Sequence, residues 1–284
     1  MGYSVICGVL SIPKRQVIDV DTVTILGARG SVPRAGADFA KYGGNTTCIL
    51  AQLGGETIII DAGTGLMELP SPGEGSKRAS LLLTHAHVDH LLGLPLCPLL
   101  MDSASRLDIY SRSRNGLDTE AQINLLISPP LWPVRVSQLP ADVLMMEMPV
   151  SFNIGPVTVE TIEGIHPGGV TLVKLIHGDR SVAVVTDCTL TDAIMPAVTE
   201  FARGCSLLLC DGQYSDEEWE SRRSFGHSTW SRAVQLGLAC GAEKVRIVHH
   251  DPTHTDRMLD AASGKLTAEH PDCSFAMAME EIIL

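Results

Sequence analysis

The most constraining stretch of the chain is Thr84-His85-Ala86-His87-Val88-Asp89-His90, directly after the apolar run Leu81-Leu82-Leu83. Three imidazoles and a carboxylate within six residues form a metal-ligand cluster rather than an ordinary surface loop. A strand presents alternate residues on one face, and the turn after it can aim the next pair differently. His85 and His87 can therefore face one ion, and Asp89 and His90 a second, at the ~3.5–4 Å separation of two-metal sites. A chain built around such a loop needs further ligands from elsewhere, so the position of every other His and Asp matters.

Short apolar and β-branched runs predict strands at residues 23–26, 48–53, 57–60 (after the turn Gly54-Gly55), 79–84 and 106–110. A hairpin is expected within 152–162, turned at Gly155-Pro156, followed by strands at 170–176, 181–186, 206–210, 244–248 and 273–279. Helices are expected over 118–126, 191–203, 215–223 and 255–264, and over a segment that ends near Gly241 and is capped by Ser228 or Thr229. Residues 128–140 hold four prolines and Trp132 and read as an irregular surface segment, a candidate substrate lid or homodimer contact. Residues 1–20 read as a loosely attached extension or an extra edge strand, and 70–78 as a flexible loop.

No internal linker interrupts this order, so residues 1–284 read as a single domain. Groups of strands with helices between them predict an α/β protein with two β-sheets faced by helices. His85, His87, Asp89, His90, His166, Asp187, Asp211, His227 and His249 each lie just after a strand or in a loop before a helix. Ligands of α/β sheets gather at the carboxyl ends of strands, so this recurrence says more than any one residue.

Composition narrows the partners. The chain is long enough to bury a substantial core, at 284 residues. A formal charge of −12 argues against holding long nucleic acid by its phosphates, which needs basic surface. It leaves room for a small anionic substrate, because bound cations would dominate the local field. The eight cysteines are scattered, with no Cys-x-x-Cys pair, and read as buried free thiols of a reducing, cytoplasmic compartment. The start of the chain lacks a basic leader before its apolar stretch, and no run of ~18 apolar residues exists, so neither a signal peptide nor a membrane span is expected.

Asp61 after a strand, His85-x-His87-x-Asp89-His90, His166, Asp187 and His249 together resemble the metallo-β-lactamase fold, with five separated elements in the expected order. The resemblance runs from about residue 22 to 284 and implies a four-layer αββα architecture, two mixed β-sheets sandwiched by helices. Carried over position by position, it implies that His85, His87 and His166 bind one divalent metal ion. Asp89, His90 and His249 would bind the other, with Asp187 bridging the two. Asp61 would orient the ligand loop from behind; alternatively it only opens the Gly-rich turn Asp61-Ala62-Gly63-Thr64-Gly65. This donor set suits zinc first, with manganese or iron as alternatives, since no cysteine enforces zinc. Adjacent strand residues face opposite sides, so only one of His249 and His250 should ligate. The family pattern favours His249 and leaves His250 either to support a ligand from behind or to line the pocket. His254 is expected at the surface or the pocket rim, and His177 and His270 as ordinary exposed histidines.

Cys210-Asp211-Gly212-Gln213-Tyr214 and Gly226-His227-Ser228-Thr229 resemble the phosphodiesterase branch of that superfamily, which includes ribonuclease Z and phosphodiesterases of cyclic phosphates. Arg29-Gly30-Ser31-Val32-Pro33 and Tyr42-Gly43-Gly44-Asn45-Thr46-Thr47 resemble it too; Asn45, Thr46 and the glycines either place donors near the phosphate or only shape the loop. In that branch a His beside the scissile phosphate acts as general acid, assisted by a carboxylate. The matching pair here is His227 and Asp211, where the family often has Glu; alternatively His227 bonds backbone at a helix start. The resemblance thus implies a dinuclear metal-dependent hydrolase, a phosphodiesterase on a small or cyclic substrate. Asp89 would orient or deprotonate the attacking water, and His227 would protonate the leaving alkoxide. Ribonuclease Z carries a long basic arm for tRNA; none is found here, and with the −12 charge tRNA processing is not expected. The rival readings are hydrolysis of a carboxylic ester, lactone or thioester at the same centre, and a metal-binding module without catalysis.

Overall fold

Runs such as Ile58-Ile59-Ile60 and Val182-Ala183-Val184 are apolar on both strand faces, which a chain tolerates only where each face is covered. The structure, a computed structural model describing residues 20–70 and 77–284, covers both. One sheet contains β1 (Thr22–Gly27), β2 (Cys48–Leu53), β3 (Glu56–Ile60), β4 (Arg78–Leu82), β5 (Arg106–Ser111), β6 (Asp142–Glu147) and β14 (Glu280–Ile283). Its order is β14-β1-β2-β3-β4-β5-β6, antiparallel as far as β3 and parallel from there to β6. The other contains β7 (Ser151–Ile154), β8 (Val157–Gly164), β9 (Val170–His177), β10 (Arg180–Val185), β11 (Leu207–Asp211), β12 (Lys244–Val248) and β13 (Cys273–Phe275), neighbouring one another in sequence order. Here too the pairing changes from antiparallel to parallel, at β10. The helices are α1 (Thr119–Asn124), α2 (Met195–Ala202), α3 (Asp216–Arg222), α4 (Trp230–Cys240) and α5 (Asp256–Glu269).

The strand alternation sorts the core into three apolar layers. Ile58, Ile60 and Leu82 meet Val182, Val184 and Leu209 between the sheets. Ile59, Leu81 and Ile109 face outward against Leu66, Leu94 and Ile123, supplied by short 3₁₀ turns and α1. Ala183, Leu208 and Ile247 face outward on the second sheet, under Val198, Leu236 and Leu259 of α2, α4 and α5. Each fully buried side chain of this size contributes ~1.5–3 kcal/mol. The result is the αββα sandwich that the sequence resemblance implies.

Several expectations need correction. The edge beside β1 is taken by the C-terminal β14, which the sequence reading missed; the proposed edge strand at 1–20 lies, apart from Val20, outside the described residues. Most of the 70–78 loop lies outside them too, and Arg78 already opens β4. Residues 142–147, unassigned from sequence, form β6 at the opposite edge. The Pro-rich 128–140 segment packs on the outer face of the first sheet, with Val136 fully buried and Trp132 against it. The last helix runs five residues past its expected end, to Glu269 rather than Gly264. Among the described residues no helix is long and apolar enough to cross a membrane.

Arg29 ties the two sheets together. Its backbone bridges to Thr46 on one side and His250 on the other. Its fully buried guanidinium donates to the Gly43 carbonyl from Nε and Nη2, at 3.0 and 2.8 Å, and from Nη1 to the carbonyls of Asp251 and His254, at 3.0 and 2.9 Å. Burial lowers its pKa to about 10, against the pull of Asp256 and Asp251, so it remains charged at neutral pH. Arg29→Met should therefore strand three buried carbonyls and lower the unfolding free energy by about 3–5 kcal/mol, read from urea denaturation. A loss under ~1 kcal/mol would show that the loops hold without it.

Candidate metal centre

All nine residues singled out at strand ends converge at one end of the sandwich. His85, His87, Asp89 and His90 follow β4, and His166 sits between β8 and β9. Asp187 follows β10, Asp211 ends β11, His227 precedes α4, and His249 follows β12. One donor atom each from His85, His87 and His166 lies within 4.8 Å of the others, and the same holds for Asp89, His90, Asp187 and His249. His249 rather than His250 faces the cluster: its Nε2 is 3.0 Å from Asp187 Oδ1 and 3.2 Å from Asp89 Oδ2. Asp187 stands between the groups, with Oδ1 3.9 Å from His85 Nε2 and Oδ2 3.3 Å from His90 Nε2.

The donors are held from behind. Asp61 accepts from the Thr84 backbone N–H at 2.8 Å and lies 2.8 Å from His90 Nδ1, which leaves His90 Nε2 toward the centre. His166 donates from Nδ1 to the Gly226 carbonyl at 2.9 Å, so its Nε2 carries the lone pair, 3.1 Å from His87 Nδ1. A side chain at Gly226, where φ is +94°, would stand 2.5 Å from that Nδ1. The Ser31 backbone N–H donates to Asp89 Oδ2 at 2.8 Å. Sequence reasoning missed the Ser31 and Gly226 contacts, which join segments far apart in the chain. Gly226 was the only signal for the second contact, and nothing local marks the first.

Charge and burial divide the cluster. His85, His87 and His166 have pKa values below the ordinary imidazole value, chiefly through burial, so they present neutral lone pairs. For His90 and His249 burial also disfavours charge, but Asp187 with Asp61 or Asp89 outweighs it. His90 is held well above the usual range and His249 at about 10. Burial opposes the charge on Asp89 and Asp187 as well, yet the neighbouring imidazoles hold both below the usual carboxylate range. His85 Nε2 is buried with no hydrogen-bond partner among the described residues. Converging imidazole and carboxylate donors, some lacking protein partners, fit divalent metal ions, one per group.

The acid candidate is also in place. His227 Nδ1 is 2.9 Å from Asp211 Oδ2, so the shorter Asp reaches the imidazole. Asp211 is fully buried and also accepts the backbone N–H groups of Cys188, Gln213 and Ser228. The Trp219 indole donates to the His227 carbonyl at 3.2 Å and fixes that backbone against α3. The other histidines differ from expectation. His250 is buried and donates from Nε2 to the Ala276 carbonyl; burial beside Arg29 lowers its pKa to about 3. His254 is buried rather than at the surface, with Glu218 on its Nε2. His177 is not an ordinary exposed histidine: its Nδ1 lies 2.7 Å from Asp21.

A sequence profile of the Beta-lactamase superfamily domain matches residues 56–250. Ribonuclease Z of Bradyrhizobium sp. (strain ORS 278) is 24% identical, over 81% of this chain and 90% of the relative. The metallo-beta-lactamase fold protein YhfI of Bacillus subtilis superposes with a TM-score of 0.68 at 20% identity, covering 93% of this chain and 99% of that one. A diphosphatase from the PhnP family superposes with a TM-score of 0.66 at 18% identity, covering 93% and 98%.

Two substitutions separate the two donor groups. Asp187→Ala, which removes the carboxylate between them, should lose both ions by elemental analysis. A Cβ at Gly30 would stand 2.4 Å from His249 Nδ1, so Gly30→Ala should displace that ring and cost chiefly the ion of the Asp89 group. Two ions retained in Asp187→Ala would refute a shared carboxylate.

Proposed function

The chain belongs to the beta-lactamase superfamily of metal-dependent hydrolases, and from that premise we propose that it hydrolyses a phosphodiester, on a small or cyclic substrate. The observation that carries the reading is the His227–Asp211 pair, 2.9 Å apart at the edge of the metal-ligand cluster. Phosphodiester cleavage expels an alkoxide that must gain a proton. Ester and lactone cleavage expel an alkoxide too, so the lean toward phosphate comes from the resemblance of the Asp211 and His227 stretches to the phosphodiesterase branch. The relatives agree in kind: one is named ribonuclease Z and one a diphosphatase, both acting on phosphate esters or anhydrides.

His85, His87 and His166 would hold one divalent ion, and Asp89, His90 and His249 the other, with Asp187 shared; zinc is the ion we propose. When bound, such ions supply Lewis-acid stabilisation of phosphate oxygens and lower the pKa of water toward ~7. The remaining chemistry belongs to the chain. Asp89, fixed by the Ser31 N–H, orients the attacking water and can take its proton. Asp211 holds His227 by Nδ1, so the proton for the leaving oxygen is delivered from Nε2. Three backbone N–H groups donate to Asp211 and fix its orientation toward the imidazole. His87 is the exposed member of the ligand set and marks the open side of the centre.

A screen should rank bis-p-nitrophenyl phosphate and cyclic nucleotides above lactones and thioesters, and above precursor tRNA. Faster turnover of a lactone, a thioester or the tRNA would overturn the substrate class. His227→Ala should lose turnover by about 10²–10⁴-fold while keeping its metal content. Full activity in that variant would remove His227 as the acid.

A further inference from the structure

Ser31 supports Asp89 from a strained turn. Its φ is +62°, in the left-handed region, and the residue is exposed. From there its N–H donates to Asp89 Oδ2 at 2.8 Å. Backbone bonds hold the turn from one side. The Gly30 N–H donates to the His250 carbonyl at 2.9 Å, and the Val32 N–H to the Gly30 carbonyl at 2.7 Å. A residue other than glycine persists in such a conformation only where its surroundings impose it.

On the other side stands Gln213, 182 positions away in the chain and only 2% exposed. Its Nε2 donates to Ser31 Oγ at 3.1 Å. Its backbone N–H donates to Asp211 Oδ1 at 3.0 Å, while Asp211 Oδ2 faces His227 Nδ1. Gln213 thus grips the carboxylate behind His227 with its main chain and the loop beside Asp89 with its side chain. The amide has no second anchor: its Oε1 is buried with no hydrogen-bond partner among the described residues. A buried polar atom left unpaired costs stability. An apolar side chain would fill this space without that loss, so packing alone does not account for an amide here, and the Ser31 bond does.

We propose that Gln213 is a positioning residue that holds the Ser31 turn against Asp89. With the bond made, the Ser31 N–H stays on Asp89 Oδ2 and the carboxylate keeps one orientation toward the centre. Without it the turn relaxes and Asp89 loses that partner. Asp211 is spared, because the backbone N–H it accepts from residue 213 does not depend on the side chain. The inference rests on the reading of Asp89 as a metal ligand.

Titration of the full chain with Zn²⁺ against a chromophoric chelator reads two stepwise affinities. Gln213→Met keeps the length of the side chain and removes its donor. The affinity of one ion should then fall about 10–100-fold, the range found when a ligand loses its supporting partner, while the other ion holds. Ser31→Ala, on the exposed turn, keeps the N–H that Asp89 accepts and removes only the hydroxyl; it should show the same loss. The double variant should lose no more than the larger single one, because both changes remove one bond. Unchanged affinities in both single variants, equal weakening of both ions, or additive losses in the double variant overturn the inference and leave the two-ion centre standing. An unsubstituted chain that binds fewer than two ions overturns the reading of the centre, and the inference with it.

Discussion

The centre rests on one constraint: four carboxylates and six imidazoles crowd together, and all of them but His87 and His166 are buried. An isolated ionised group in that environment would cost several kcal/mol or lose its charge. Here buried charges meet their opposites: Asp61 with His90 and Asp187 with His249, at 2.8 and 3.0 Å. The compensation is uneven. The His85, His87 and His166 group is uncharged and ready to donate lone pairs. The Asp89, His90, Asp187 and His249 group is a mesh of opposite charges, so its two histidines must each give up a proton before they can ligate. The two halves of the centre are therefore unlike in the chemistry of their filling, although both are built from the same residue types.

Holding these side chains inward requires backbone that a strand would not adopt. Asp61, Asp187 and His249 all have left-handed backbone, with φ of 61°, 52° and 64°, and Ser31 joins them at 62°. Each such residue costs ~1–3 kcal/mol and persists only where its surroundings impose it. Asp61, Asp187 and His249 follow β3, β10 and β12 within two residues, so the left-handed turn redirects the side chain just where the ladder ends. Hydrogen bonds on either side hold that turn: the Asp61 N–H donates to the Leu82 carbonyl, and the His250 N–H to Ala28. Arg29, spanning the same loops from within, adds the third restraint. The cluster's geometry is thus imposed by the sandwich, not by the ligand loop alone.

This explains what the sequence could and could not disclose. His85, His87, Asp89 and His90 are legible because their spacing is local, and the other ligands because each follows a strongly apolar strand. The central strands were legible for the same reason: Cys48–Leu53 and Lys244–Val248 begin and end where their composition changes. The edges were not. β6 is half-exposed and reads Asp-Val-Leu-Met-Met-Glu, and β14 is four residues ending in Glu-Ile-Ile, so neither has a clear period. Contacts between distant segments, such as Ser31 to Asp89 or His254 to Glu218, leave no local trace. His254 was misjudged as rim because its surrounding residues, Asp251, Thr253 and Thr255, are polar, while helices α3 and α4 cover it in the fold.

The acidity of the chain bears on the substrate through distance. Two divalent ions in the centre would set four positive charges against the carboxylates of Asp61, Asp89, Asp187 and Asp211. A small anion would then meet the centre chiefly through contact with the ions rather than through a broad field. The chain's formal charge of −12 includes those four buried carboxylates; the rest lies outside the centre, and at physiological salt the reach of a surface charge is about 8 Å. A long polyanion must cross that surface, and each phosphate beyond the centre meets carboxylates without the counterion gain that basic proteins obtain. An acidic surface therefore argues against a long polyanion without arguing against a small anionic substrate.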